Sequence, residues 1–254
     1  MKSSSVDAVG SKVAAVTFAF WVMKIAATTL GETAGDLLSM TLNLGYAVSS
    51  AILVAAFIAL LTLQLSARRY HPVLFWSVVL ATSTAGTTMS DLLDRTLGLG
   101  YALGSAILAT CLALVLLAWR KSEDSVSVSD IRSRRAETFY WTAVLLSNTL
   151  GTALGDFLAD DSGLGFVGGA ALIGTLILAT ALATRIKNVN KVILFWIAFV
   201  LTRPFGATFG DLLTKPLEKG GLDFGTVGSS LILFAILASF VSFSMVRHRT
   251  ETAH

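Results

Sequence analysis

Cysteine, histidine and charge are all scarce in this chain. Cys111 is the one cysteine and lies in the apolar run from Ala106 to Trp119, so a disulfide framework and a cysteine-based metal site are both excluded. The three histidines are His71, His248 and His254, placed in a loop and in the C-terminal tail, which leaves no intramembrane imidazole to hold a haem. No Ser–His pair or His-rich metal motif marks a hydrolase, and Lys24 in the first apolar segment is a poor Schiff-base lysine. No enzymatic activity is expected. Charged residues make up 14% of the chain, against about 25% in soluble domains.

What fills the chain is apolar surface. Hydrophobic residues account for 54% of the sequence, and the mean hydropathy is +0.75. A soluble globule of 254 residues could not hide that much. The opening MKSSSVDAVGSK has no apolar core of its own and precedes an apolar stretch too long for a signal peptide, so the first helix is expected to be retained. Spanning about 30 Å of hydrocarbon takes about 20 helical residues. Eight such segments occur, at about 13–38, 45–66, 72–93, 100–119, 138–158, 164–184, 191–213 and 225–246. The expected fold class is therefore an all-α integral membrane protein with eight transmembrane helices.

The formal net charge of +3 does not indicate a nucleic-acid partner. Basic residues cluster after the even segments: Arg68 and Arg69; Arg120, Lys121, Arg132, Arg134 and Arg135; Arg185, Lys187 and Lys191; Arg247 and Arg249. Loops after odd segments carry Asp94/Arg95, Asp160/Asp161 and the mixed set Lys215, Glu218, Lys219 and Asp223. The positive-inside rule then places both termini in the cytoplasm. A charged, Ser-rich connection at about 121–137 is expected to be a mobile cytoplasmic linker between two halves of a single membrane domain, 1–254.

The strongest signal is an internal repeat. Phe20-Trp21, Phe75-Trp76, Tyr140-Trp141 and Phe195-Trp196 each begin the same ruler. Gly31, Gly86, Gly151 and Gly206 stand ten residues after each tryptophan, and Asp36, Asp91, Asp156 and Asp211 stand fifteen after it. Later glycines open each even segment with a small residue four places on, Gly45/Ser49, Gly100/Gly104, Gly165/Gly169 and Gly225/Ser229, pairs expected to serve helix packing by allowing close backbone approach. The repeats run at about 13–66, 72–119, 138–184 and 191–246. Repeat four has five extra residues between Asp211 and Gly225. Two segments per repeat give all four copies the same orientation, so parallel repeats related by pseudo-symmetry are expected.

Each tryptophan lies near a basic loop, where its amphipathic ring suits a membrane interface. Fifteen helical residues carry the chain about 22 Å further, which puts each aspartate inside the membrane. Steps of four share a helix face. The rows ending on the aspartates read Thr28-Glu32-Asp36, Ser83-Thr87-Asp91, Asn148-Thr152-Asp156 and Arg203-Ala207-Asp211. Ionised groups at that depth cost roughly 2.5–3.5 kcal/mol each on insertion scales and so are paired, protonated or turned to a wet interior.

An oxygen-rich, net acidic cluster without His or Cys suits hard cations or protons. The candidate cation-binding or proton-relay residues, and candidate metal ligands, are Glu32, Asp36, Asp91, Asp156 and Asp211. Lys24 and Arg203 are charge-balancing candidates, able to sit on carboxylates as tethered cations, and Thr28, Thr87, Asn148 and Thr152 are accessory polar groups. Glycines ten residues after each tryptophan admit local unwinding, with freed carbonyls as further ligands. The expected function is transport of a hard cation, in the first place a divalent ion such as Mn²⁺, either alone or coupled to protons. No cofactor is expected beyond a bound divalent cation. The expected partners are the lipid bilayer and a small cation, and the sequence is compatible with a homo-oligomer. The alternative is a membrane scaffold or sensor whose acidic residues are structural.

The pattern aromatic-Trp, nine residues, Gly, four residues, Asp-[Leu/Phe]-Leu, four times over, resembles a bacterial membrane protein family of four tandem two-helix repeats, described only as uncharacterised membrane-anchored proteins. The likeness covers about residues 13–246. It implies the repeat fold and a bacterial inner-membrane location, and no functional residue.

Overall fold

The computed structural model describes residues 13–67, 69–123, 125–128, 131 and 133–252, with side chains through residue 246. The residues before 13, Arg68, Arg132 and the side chains of Arg247, His248, Arg249 and His254, all named above, lie outside the described residues. Eight long helices follow one another: α1 (Phe18–Asp36), α2 (Tyr46–Ser66), α3 (Pro72–Asp91), α4 (Tyr101–Glu123), α5 (Arg134–Asp156), α6 (Gly165–Ala183), α7 (Lys191–Thr214) and α8 (Thr226–Thr252). Among the described residues there is no strand.

Local chemistry sets several helix starts. Thr17, Ser133 and Asn190 accept hydrogen bonds from first-turn amides, satisfying donors the helix itself cannot. Pro72 occupies the first turn of α3, where its missing N–H costs nothing. Because α4 continues to Glu123 and α5 begins at Arg134, the connection read as 121–137 is shorter in the fold. Its described residues make contacts of their own: Ile131 is buried, Trp196 Nε1 donates to the Val126 carbonyl at 3.0 Å, and Ser133 Oγ donates to Glu123 at 3.0 Å.

The four odd helices form a closed ring, α1 on α3, α3 on α5, α5 on α7 and α7 on α1. Each even helix lies outside this ring and covers the odd helix of the next repeat: α2 on α3, α4 on α5, α6 on α7, and α8 back on α1. The repeats are thus interlocked cyclically. The outer helices present large apolar side chains outward, among them Ile52, Leu63, Leu114, Leu178 and Phe234, whereas the ring buries Thr28, Glu32, Thr87, Asn148, Thr152 and Arg203. A polar interior within an apolar skin is the arrangement a bilayer selects. Among the described residues six helices, α2, α3, α4, α6, α7 and α8, are long and apolar enough to cross a membrane. Helices α1 and α5 are not among them. Their charged residues are Lys24, Glu32 and Asp36 on α1, and Arg134, Arg135, Glu137 and Asp156 on α5.

Three expectations are corrected by the packing. The repeated tryptophans do not face outward as interface anchors: Trp76, Trp141 and Trp196 are buried and Trp21 is half-buried. They form a belt in which the first aromatic of each repeat meets the tryptophan of the next. The pairs are Phe20–Trp76, Phe75–Trp141, Tyr140–Trp196 and Phe195–Trp21, with centroids 5.5–6.4 Å apart, within the range of favourable aromatic pairs.

The glycines ten residues after each tryptophan do not unwind anything. All four lie inside continuous helix, where an added Cβ would overlap the next helix of the ring: Gly31 against Ser83, Gly86 against the backbone of Asn148 and Thr149, Gly151 against Arg203 and Pro204, and Gly206 against Thr28. They set the interhelical distance, as small residues do wherever membrane helices approach closely.

The glycines opening the even helices, by contrast, are not packing contacts. Gly45, Gly100, Gly165 and Gly225 have φ between 65° and 75°, and an added Cβ at each would meet nothing within 4 Å. Their role is the left-handed turn that reverses the chain. The small residues four places on do pack, since Ser49 and Ser229 are buried and Gly104 and Gly169 lie against Asp94 and Thr208.

Candidate functional site

The ring interior is built from buried helix faces that are unusually rich in hydroxyls. Most of these satisfy themselves locally: Thr29, Thr84, Thr149 and Thr208 donate to carbonyls three or four residues back, a bond open to Ser and Thr inside helices. Unlike the hydroxyls, the ionisable groups need partners on other helices, and those partners define three levels along the axis.

At the first level Lys24 is fully buried. Among the described residues it forms no ion pair with a carboxylate, unlike its expected balancing role. Its Nζ donates to Asn148 Oδ1 at 3.2 Å and lies 4.3 Å from the centroid of the Phe199 ring, a cation–π contact strengthened by desolvation. Asn148 Nδ2 donates in turn to Thr82 Oγ1 at 2.9 Å, so one amide from α5 joins α1 to α3.

Two turns further along α1, the second level centres on Arg203 of α7, which is also fully buried. Its guanidinium donates to Glu32 Oε2 at 2.9 Å, to Thr152 Oγ1 at 2.6 Å, to Thr87 Oγ1, and to the Thr28 and Ser83 carbonyls at 3.4 Å each. One side chain therefore ties α7 to α1, α3 and α5. The planar fork with several fixed donors suits this task, and each bond offsets part of the cost of burying the charge. Thr87 also donates to Glu32 at 3.3 Å. Thr28 faces the same axis but spends its hydroxyl on the Lys24, Ile25 and Thr202 carbonyls.

At the third level the four aspartates do not form one uniform ring. They separate into two pairs, each bridged by a cation. Arg95 Nε lies 2.8 Å from Asp91 Oδ1 and its Nη2 lies 3.3 Å from Asp156 Oδ2 and 3.8 Å from Asp160 Oδ2. Lys215 Nζ lies 2.7 Å from Asp36 Oδ2 and 3.1 Å from Asp211 Oδ1. Burial works to lower the Lys215 pKa, but Asp211 and Asp36 outweigh it and hold the ammonium well above the ordinary lysine range.

Arg95 and Lys215 were not singled out from the sequence, where both read as loop charges. The signal was one more step of four beyond each aspartate, which lands on Met40, Arg95, Asp160 and Lys215. Cations thus alternate with non-cations around the ring. Of the five candidate carboxylates, Glu32, Asp36 and Asp211 come together, each with one oxygen within 4.8 Å of the others. Asp91 and Asp156 are joined separately through Arg95. Among the described residues no other group of three His, Cys, Asp or Glu side chains converges in this way.

These features define a membrane-type helical protein of four internal repeats with a buried acidic cluster. A family model described as a repeat of unknown function, DUF347, matches four times in tandem, at residues 19–70, 74–125, 139–188 and 194–250, and the chain belongs to that repeat family. No curated protein and no solved structure matches it.

Proposed function

We propose that this protein crosses a bacterial inner membrane eight times, with both termini in the cytoplasm, and carries a hard cation, in the first place a divalent ion such as Mn²⁺. The observation that carries this reading is the convergence of Glu32, Asp36 and Asp211, from two adjacent ring helices, on one buried point. Three carboxylates with hydroxyls and carbonyls nearby offer oxygen ligands alone, the donor set of hard divalent ions. Arg203 and Lys215 contact these carboxylates, so each acid has a cation before substrate arrives and none is left charged and bare in a low-dielectric interior. Binding is then an exchange of one cation for another, and a proton is a natural counter-substrate. Reconstitution into proteoliposomes and flux measurement across divalent and monovalent cations tests this. Flux for Mn²⁺ or a similar ion, lost in Glu32→Gln and Asp211→Asn, is expected; no flux above empty liposomes for any ion overturns it.

A second reading, a membrane scaffold, is favoured by one specific observation: Arg203 alone bonds to all three other ring helices. Under that reading the alanine variants lose the fold. Under the transport reading the conservative amide variants keep the fold and lose flux.

A further inference from the structure

Repeat four is the one repeat whose spacing departs from the others, and the structure shows what the departure does. In repeats one to three the odd helix runs on past the aspartate into a wider π-type turn, Leu37–Thr41, Leu92–Thr96 and Phe157–Asp161. In repeat four α7 stops at Thr214, Lys215 is extended, Pro216 follows, and a short 3₁₀ turn spans Leu217–Lys219. The chain then folds back onto its own exit. Asp223 N donates to the Lys215 carbonyl at 3.0 Å, Leu222 N to Leu212 at 2.7 Å, Phe224 N to Leu213 at 2.9 Å and Gly221 N to Pro216 at 3.1 Å. An added Cβ at Gly221 would overlap the Lys215 carbonyl. The extra residues therefore pin the backbone of Lys215 and leave its side chain as the moving part.

That side chain lies on two of the three converging carboxylates, and its hold is lopsided. Asp36 Oδ2 at 2.7 Å is hydrogen-bonded. Asp211 Oδ1, at 3.1 Å, is an ion contact in which no donor meets this buried oxygen in hydrogen-bonding geometry. A substrate cation that approaches Asp36 and Asp211 meets the like charge of the ammonium for as long as it stays there. Arg203, fully buried and hydrogen-bonded to three helices, is fixed. Lys215, with 19% of its side chain exposed, is the cation able to leave. Arg95 at the equivalent position bridges three carboxylates and lies 5.5 Å from the Tyr101 ring centroid. A guanidinium fork locks such a geometry where an ammonium on a flexible stem does not.

We infer that Lys215 is a tethered competitor for the cation site: its ammonium occupies the Glu32–Asp36–Asp211 cluster when no substrate is bound and swings outward, on a fixed backbone, to admit a divalent cation. This rests on the cation-transport reading above. Lys215 is a positioning residue in that scheme, setting apparent affinity and coupling release of the substrate to its own return.

The test is Mn²⁺ binding to full-length purified protein by titration calorimetry, comparing wild type with Lys215→Gln, Lys215→Arg and the exposed loop variant Lys219→Gln. If the ammonium holds the site nine-tenths of the time, removing it tightens the apparent affinity about tenfold. Lys215→Gln is expected to bind that much tighter, Lys215→Arg several-fold weaker through its bidentate hold, and Lys219→Gln, which makes the same charge change, as wild type. Should Lys215→Gln fail to fold, Lys215→Arg alone decides, and wild-type affinity in it overturns the competitor role. Binding by wild type with no tightening in Lys215→Gln overturns the inference and leaves the cation site standing. Absence of binding in wild type and every folded variant, with no flux for any ion, removes both.

Discussion

Arg203 on α7 and Glu32 on α1 form an ion pair at 2.9 Å with both side chains buried, and it sits where all four ring helices meet. Breaking one half of such a pair leaves an uncompensated charge, at a cost of about 3–5 kcal/mol. Glu32→Ala is expected to lose that much stability, measured by denaturant titration in detergent. The double variant Glu32→Leu/Arg203→Met is expected to recover most of it. Equal destabilisation by single and double variants would show that the cost does not come from the unpaired charge.

Gly151 lies against Arg203 Cγ and 2.9 Å, by its added Cβ, from Pro204 Cδ. Gly151→Ala overpacks the α5–α7 contact and is expected to cost about 1–3 kcal/mol. Gly228, in α8, has nothing within 4 Å of an added Cβ, and Gly228→Ala is expected to be neutral or to gain up to about 1 kcal/mol from helix propensity. Melting curves of the two alanine variants in one detergent compare them directly. A loss in both of the same size would contradict the packing.

The aromatic belt gives a spectroscopic prediction. Trp76, Trp119, Trp141 and Trp196 are buried, so brominated lipids should quench little of the tryptophan emission, with Trp21 the main exception. Replacing Trp141, whose ring packs on Phe75 and Tyr140, by alanine is expected to cost about 3–5 kcal/mol. Strong quenching of a Trp21→Phe variant would place the rings at the lipid boundary instead.

Topology can be read with single cysteines in a Cys111→Ala background. Asn43→Cys and Ser162→Cys, both in exposed turns after odd helices, are expected to react with an impermeant maleimide added to intact cells. Lys187→Cys, in the exposed turn after α6, is expected to react only after permeabilisation. Labelling of all three from the same side rules out eight crossings with parallel repeats.

Much of this architecture follows from the chain alone. The repeat, the helix positions and the polar rows on the odd helices need only a period of 3.6 residues and a comparison of four segments, because they are local properties. The asymmetric residues were legible as well: Lys24, Glu32, Asn148 and Arg203 each stand alone among equivalent positions, and all four lie on the ring axis. What the sequence could not decide is which groups meet. Spacing places Asp36 and Asp91 on equivalent faces, but only ring closure of α7 on α1 brings Asp211 to Asp36 and leaves Asp91 with Asp156. Tertiary structure likewise turned the tryptophans inward, made the mid-helix glycines contact points, and brought Arg95 and Lys215 from apparent loops onto the aspartates. The physical reason is common to all of these. A residue's helix face is set by its neighbours in sequence, whereas its partner is set by which helix lies opposite, and in a fourfold-repeated chain every odd helix presents nearly the same face.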